Sequence, residues 1–245
     1  MTGGRLAGRI ALVTGASRGI GAATAVRLAQ LGAQVVLTAR TQGGLEEVDD
    51  IIRHAGGAAT LLPLDLANGA AIDALGPSLV QRFGRLDILV HNAGALGKLT
   101  PVGHIQPKDF ETCVAVNFAA TWRLIRTCGP VLLASDAGRA VFVTSKVARM
   151  PRAYWGAYAS TKAAMETLVH CWAEETENTN LRINLFDPGR TATRMRATAY
   201  PGEDPNTLPT PDLRAAELVK LCFPDVTAHG ALYIADHAVI ASGLM

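Results

Sequence analysis

The 245-residue sequence has only four cysteines, Cys113, Cys128, Cys171 and Cys222, and no two of them form a C-x-x-C pair. In a chain of this length that scatter argues against a disulfide framework and a thiolate metal site, and predicts reduced, cytoplasmic thiols. A long apolar run is missing as well. The longest stretch without Asp, Glu, Lys or Arg is the 12 residues 28–39, whereas a membrane helix needs ~18 or more. A soluble chain is expected. There is no excess of one charge: 23 Lys and Arg face 21 Asp and Glu, a formal +2. That gives none of the concentrated basic surface that nucleic acids require. Charged residues make up 18% and hydrophobic ones 49%, which excludes a disordered chain and a charge-rich coiled coil. No repeat and no Ser- or Pro-rich linker divides the chain. The one Pro-dense stretch, 200–211, lies too late to separate two domains. Near the start, Arg5 and Arg9 precede a brief apolar run that leads straight into Gly15 and Arg18. That run reads as a first strand and not as a signal peptide.

What is present is an alternation. Short apolar, β-branched runs at 9–14, 34–38, 59–64, 86–91, 140–144, 181–186 and 231–235 read as strands. Segments of helical period at 21–31, 45–54, 108–128 and 157–177 read as helices. The strands lack strict polar alternation, as expected when helices cover both faces of a sheet. The pattern predicts an α/β fold: one domain, 1–245, built on a doubly wound parallel sheet of about seven strands with right-handed crossovers. The two long helices carry apolar stripes, Val114, Phe118, Thr121, Ile125 and Cys128 on one, and Met165, Leu168, Val169 and Trp172 on the other. Such stripes serve as core or subunit interface.

The first strand runs into Thr14-Gly15-Ala16-Ser17-Arg18-Gly19-Ile20-Gly21, and a helix follows. Glycines there let the backbone approach a pyrophosphate, and the helix N-terminus offers free N–H groups. The second strand ends in Thr38-Ala39-Arg40. An acidic residue at that point would grip a ribose 2′-hydroxyl, as in NAD binding, and none is present. Arg18 and Arg40 instead offer cations suited to a 2′-phosphate, so NADP(H) is expected over NAD(H).

A second motif is Tyr158-Ala159-Ser160-Thr161-Lys162. Positions i and i+4 share one helix face. An ammonium near the phenol favours the tyrosinate and lowers the Tyr pKa toward a range useful for proton transfer. Tyr154 stands one turn earlier if the helix extends back, without a Lys at i+4.

With these motifs in order, the chain resembles the short-chain dehydrogenase/reductase family, of compact type, over essentially its whole length. Thr14-Gly15-x-x-x-Gly19-x-Gly21 resembles the family's cofactor loop, and Asp65-Leu66 the pair whose Asp meets the adenine ring. His91-Asn92-Ala93-Gly94 resembles its N-N-A-G, with His at the first position. Asn117, Ser145, Tyr158 and Lys162 fall at its catalytic positions, and Pro188-Gly189-x-x-x-Thr193 resembles its P-G-x-x-x-T. The wording at 92–97 and 155–158 is also similar to the YciK-like branch of bacterial oxidoreductases. The resemblance implies a Rossmann fold, hydride transfer between a nicotinamide and a carbonyl or alcohol, and no metal. It implies Tyr158 as general acid or base, with Ser145 bonding the substrate oxygen. Lys162 would hold the nicotinamide ribose, and Asn117 would position a water leading to solvent. Asn92 would bridge strands beside the cofactor. The long helices would pair subunits, giving a homodimer or homotetramer.

Lys146, Arg149 and Arg152 follow Ser145, while Arg190, Arg194 and Arg196 follow Pro188-Gly189. Six cations against Asp187 alone would give the substrate mouth a basic rim, suited to a 3-oxoacyl thioester or another anionic carbonyl. The second group lies in a substrate lid at about 189–213, stiffened by its prolines. Asp236-His237 stands where many family members have Gly-Gly. A rival on the same fold is a non-catalytic NADP(H)-binding sensor; the retained Ser145, Tyr158 and Lys162 argue against it. Neither reading involves nucleic acid or membrane.

Overall fold

Strand residues with both faces apolar can be buried only inside a layered structure, and that is what they form. The computed structural model describes residues 4–235 and the backbone of 239–242; Asp236 and His237 lie outside the described residues. The strands are β1 (Ile10–Thr14), β2 (Gln34–Ala39), β3 (Ala59–Pro63), β4 (Ile88–His91), β5 (Arg139–Val143), β6 (Arg182–Asp187), β7 (Ala231–Ile234) and β8 (Val239–Ser242). They make one sheet in the order β3-β2-β1-β4-β5-β6-β7-β8. The first seven are parallel, and β8 adds to β7 antiparallel. Seven parallel strands match the expectation, and the antiparallel edge is an addition to it.

Alternate strand residues point to opposite faces. Ala11, Val13, Val35, Leu37, Val90, Val141 and Phe186 enter one core with helices α1 (Gly19–Gln30) and α2 (Gln42–His54). Leu12, Val36, Leu89, Phe142, Ile183 and Leu185 enter the other. That second layer also takes side chains of α4 (Leu75–Phe83), α6 (Ala120–Leu133) and α7 (Gly156–Glu175). Before α4 comes the short α3 (Gly69–Asp73). No helix among the described residues is long and apolar enough to cross a membrane. All four cysteines are free thiols.

The helix expected at 108–128 is interrupted. It begins as α5 (Pro107–Cys113), passes through a π-helical turn at Val114–Ala119, and continues as α6. A π turn holds one residue more than an α turn, so it rotates the phase of everything before it. The buried stripe is therefore Cys113, Asn117, Ala120, Thr121, Leu124, Cys128 and Leu132. Val114, Phe118 and Ile125 of the expected stripe are only half-buried. Asn117 sits in the π turn, and its carbonyl accepts the Thr121 hydroxyl at 3.0 Å. The helix at 157–177 begins at Gly156, so Tyr154 is not on it. Tyr154 is exposed, with a φ of 75°.

After β6 the chain forms α8 (Arg194–Ala199) and, past the prolines, α9 (Pro211–Leu218), whose inner side packs on α1.

Candidate active site

The strand order reverses between β1 and β4, and ligands of open α/β sheets bind at such a reversal, beyond the carboxyl ends of the strands. A cleft of about 570 Å³ opens there. One side is the β1–α1 turn. Gly15 has a φ of 65°, and a Cβ on it would lie 2.9 Å from the Ala93 Cα. Gly21 is tighter still: a Cβ would come 2.3 Å from the Gly15 carbonyl oxygen and 2.4 Å from Asn92 Nδ2. Gly21→Ala is expected to lower stability by about 1–3 kcal/mol through this overpacking. Gly43→Ala, where nothing lies within 4 Å of the added carbon, is expected to leave stability unchanged or slightly raised. Thermal melts of the two variants check this.

Arg18 caps α1 in extended conformation without a side-chain bond, and the first turn holds no acid. The N–H groups of a 12-residue helix thus face the cleft with their positive end. Arg18 and Arg40 both line the cleft and are exposed. Neither is in a salt bridge among the described residues. Ser17, Gly19, Ile20, Asp65 and Leu66 complete this end, and Asp65 Oδ1 closes its own turn by accepting the Ala67 N–H at 3.0 Å.

The floor comes from β4. Asn92 Nδ2 donates to the carbonyls of Thr14 and Gly15 at 3.1 and 3.3 Å, tying the β1 end to the β4 end. Oγ1 of Thr14, the first residue of the glycine motif and given no role by it, accepts the N–H groups of Asn92 and Ala93, each at 3.1 Å, and meets His91 Nδ1 at 2.9 Å. His91 itself is wholly buried edge-on to Phe142. Burial pulls its pKa down to about 3, with the Lys162 charge adding to the effect.

At the far end stand Ser145, Tyr158 and Lys162. Ser145 follows β5, with its hydroxyl beside the Tyr158 phenol, where it favours the tyrosinate. Tyr158 is buried and packs edge-on against Trp155, ring centroids 5.9 Å apart. Lys162 is buried too, and its Nζ donates to the Val143 carbonyl at 2.7 Å. Gly94 lies over this end: a Cβ there would be 3.4 Å from Asn117 Oδ1 and 3.7 Å from Lys162 Nζ. Asn117 does not line the cleft. Its amide is spent on the Ala95 N–H (2.7 Å), the Ala95 carbonyl (2.9 Å) and Thr161 Oγ1 (3.0 Å). Pro188, Gly189 and Thr193 close the cleft from above. Of the catalytic and cofactor-binding residues expected from the sequence, only Gly21 and Asn117 stand behind the wall instead of in it.

Two expectations are corrected. Burial raises the Tyr158 pKa above the ordinary phenol value, aided by the charges of Asp187 and Cys113 and opposed by Ser145. The lowering expected from Lys162 is not there, because its ammonium turns to Val143 and sits 6.0 Å from the ring centroid. Burial lowers Lys162 itself to about 8, with Glu166 opposing. The second correction concerns the basic rim. Arg149 is paired with Glu166 and Asp187, and Arg196 with Glu203 at 2.5 Å. Of the six cations only Arg194 and Arg196 line the cleft. Arg196 also stacks on Tyr200, 3.7 Å from the ring centre. Leu96 and Trp155 pack apolar surface beside Tyr158, and Val116 and Met195, which no motif marked, add to the apolar lining of the cleft.

A glycine-lined crevice at the reversal of a parallel sheet, with a Ser–Tyr–Lys group at its far end, defines a dinucleotide-dependent oxidoreductase of the Rossmann class. The short chain dehydrogenase family model matches residues 9–204, and the chain belongs to that family. It is 40% identical over 206 residues to the uncharacterized oxidoreductase YciK of Escherichia coli, covering 83% of this chain and 81% of that one. A short chain dehydrogenase of Salmonella enterica serovar Typhi has a structure alike at a TM-score of 0.91, with 37% identity, covering 96% of this chain and 99% of that one. A short chain dehydrogenase of Escherichia coli described as complexed with NADPH matches at a TM-score of 0.90, with 38% identity, covering 96% of this chain and 100% of the other.

Proposed function

We propose that the protein is an NADP(H)-dependent oxidoreductase interconverting a carbonyl and an alcohol. The observation that carries this is one cleft with Arg18 and Arg40 at one end and Ser145, Tyr158 and Lys162 at the other. A similar structure described as an NADPH complex supports the choice of cofactor. The glycine turn, the open α1 N-terminus and the two unpaired arginines fit a phosphate-rich dinucleotide. Gly15, Ser17, Gly19 and Ile20 would hold its pyrophosphate, with Arg18 and Arg40 at the 2′-phosphate and Asp65 and Leu66 at the adenine. Asn92, Ala93, Gly94, Tyr158, Lys162, Pro188, Gly189 and Thr193 would hold the nicotinamide half. When bound, the nicotinamide supplies or accepts the hydride.

The chain's own groups manage the oxygen and the proton. Tyr158 donates its proton to the substrate oxygen during reduction and takes it back during oxidation. Burial keeps the phenol protonated, which suits the donor role. Ser145 hydrogen-bonds the same oxygen as negative charge builds on it. Lys162 places an ammonium on the same helix face. Asn117 fixes the 95 loop to α7 through Ala95 and Thr161, which sets the wall opposite Lys162. Residues 189–213 act as the lid. The apolar wall favours a carbonyl on an apolar body, with Arg194 available to one anionic group. The protein acts in the cytoplasm as a homodimer or homotetramer; exposed Phe110, Trp122 and Leu133 on the long helix support a subunit interface there.

A panel of neutral carbonyls and matched anionic ones, including 3-oxoacyl thioesters, tests this with NADPH and NADH by absorbance at the nicotinamide band. NADPH consumption on at least one member is expected, faster than with NADH. Tight NADPH binding with no turnover on any member would overturn the enzyme reading in favour of a sensor.

A further inference from the structure

Behind the Tyr158 end of the cleft, four side chains from three parts of the chain are joined. Glu166 Oε1 accepts the Thr144 hydroxyl at 2.5 Å and also Arg149 Nη1. The other arm of the same guanidinium, Nη2, donates to Asp187 Oδ2 at 2.5 Å. The remaining carboxylate oxygen, Asp187 Oδ1, accepts the Gly189 N–H at 3.0 Å. Thr144, Glu166 and Asp187 are buried, whereas Arg149 is an exposed residue whose side chain, 30% exposed, reaches in to them.

Each of these residues is adjacent to a part of the candidate site. Thr144 precedes Ser145. Arg149 closes the short turn that begins after Ser145. Glu166 lies one helical turn beyond Lys162 on the same face. Asp187 precedes Pro188-Gly189, the root of the lid. A buried ion cluster is a poor way to gain stability, since apolar side chains of similar volume fill such a space at no greater cost. Its effect here is geometric: one guanidinium bridges the strand ends of β5 and β6 and the helix that carries Tyr158 and Lys162.

We propose that Glu166, Arg149 and Asp187 are positioning residues for the reaction, a buried ionic brace that holds the Ser145 turn, the Lys162 helix face and the lid root as one unit. The proposal rests on the reading of Tyr158 as the proton donor. The brace also sets local charge. Two carboxylates and one guanidinium carry a formal −1. The groups facing Tyr158 are Asp187 from β6, Cys113 from α5, the Ser145 hydroxyl from the β5 turn, and Lys162 on its own helix. Those facing Lys162 are Glu166 on its own helix, His91 from β4 and the Val143 carbonyl from β5. Asp187 disfavours the tyrosinate. Without its charge, the pH at which Tyr158 gives up its proton falls. Reduction, which needs the protonated phenol, then fails at a lower pH, and oxidation, which needs the tyrosinate, sets in at a lower pH.

The test uses the panel carbonyl that the wild type reduces fastest and its alcohol, with full pH profiles in both directions. Arg149→Met is expected to lose about 100-fold in kcat, the scale of a displaced catalytic group. Its KM for NADPH should rise far less, by about tenfold at most, because the groups at the pyrophosphate and 2′-phosphate end are untouched and only the nicotinamide half meets the braced segments. Arg149→Lys should recover about tenfold of that loss, a point charge replacing a fork. Asp187→Asn keeps one acceptor oxygen for the Gly189 N–H and sets an amide Nδ2 against Arg149 in place of the second carboxylate oxygen; with the charge gone, both pH limbs should move down by about half a pH unit or more. If Arg149→Met does not fold, Arg149→Lys and Asp187→Asn decide alone. The brace is overturned if the Arg149 variants stay within about threefold of wild-type kcat, or if Asp187→Asn leaves both limbs in place. Tyr158→Phe separates the two levels: an active Phe variant, or a wild type with no turnover at all, overturns the donor reading beneath. An inactive Phe variant beside an unmoved Asp187→Asn profile overturns the brace alone.

Discussion

Tyr158→Phe is expected to lose about a thousandfold or more in kcat, within the range that positioned acid–base groups contribute, while the Kd for NADPH changes less than about threefold. The asymmetry follows from what the substitution removes. The ring stays, and with it the edge-on contact to Trp155 at 5.9 Å and the burial that fixes the rotamer. Only the buried hydroxyl is lost, so stability should change by no more than about 1 kcal/mol, the net value of one hydrogen bond. No neighbour can replace the lost donor. Lys162 spends its ammonium on the Val143 carbonyl, and Ser145, without the phenol, has no proton relay behind it. Kinetics with the best panel carbonyl and fluorescence titration of NADPH measure the two halves, and a Phe variant with turnover within tenfold of wild type sinks the assignment. The wild-type profile carries a further sign. Because burial raises the Tyr158 pKa, carbonyl reduction should persist well into alkaline pH before it falls.

Much of this was legible from residue order because the chemistry of the fold is local. A glycine turn, the Tyr–Lys spacing on one helix face and two-faced apolar strands are each read within a few residues, and all were placed. What escaped was non-local. The rim looked basic because Glu166 lies far along the chain from Arg149 and Glu203 falls just outside the 190–196 run of cations, yet the fold brings each acid onto its arginine. The i,i+4 spacing put an ammonium near the phenol but could not say that Nζ would turn toward Val143, nor that burial would outweigh its charge. The stripe on the long helix was read with an α period, and the π turn at Asn117 rotated it. Asp187, without an account in the sequence, became intelligible once its partners Arg149 and Gly189 were adjacent to it.

Replacing Arg18 and Arg40 together by alanine is expected to weaken NADPH binding by about 100-fold and to leave the NADH Kd within about twofold, taking each lost charge-assisted contact to a 2′-phosphate as about 1.5 kcal/mol. The low end of the usual range applies, because both side chains are exposed and solvent screens them. Their freedom is the reason for expecting a specific effect. Every other arginine reaching toward the cleft from the lid or the Ser145 turn is either held by an acid or lies at the catalytic end, whereas these two flank the end of β2 with no carboxylate partner. The substitution leaves the glycines of the turn and the N–H groups at the α1 N-terminus in place, so the pyrophosphate contacts shared by both cofactors persist. Ionic strength supplies an independent check. The wild-type preference for NADPH should narrow as salt shortens the screening length to roughly 3 Å near 1 M, and the double variant, with little preference left, should show almost no salt dependence of the ratio. Equal wild-type affinity for NADH and NADPH, or a double variant that still prefers NADPH tenfold, would mean that the 2′-phosphate is recognised elsewhere or not at all. Arg40→Asp offers the converse: an acid at the end of β2 can bond a ribose 2′-hydroxyl and repels a 2′-phosphate. It is therefore expected to strengthen NADH binding while weakening NADPH, an inversion that a loss of folding could not produce.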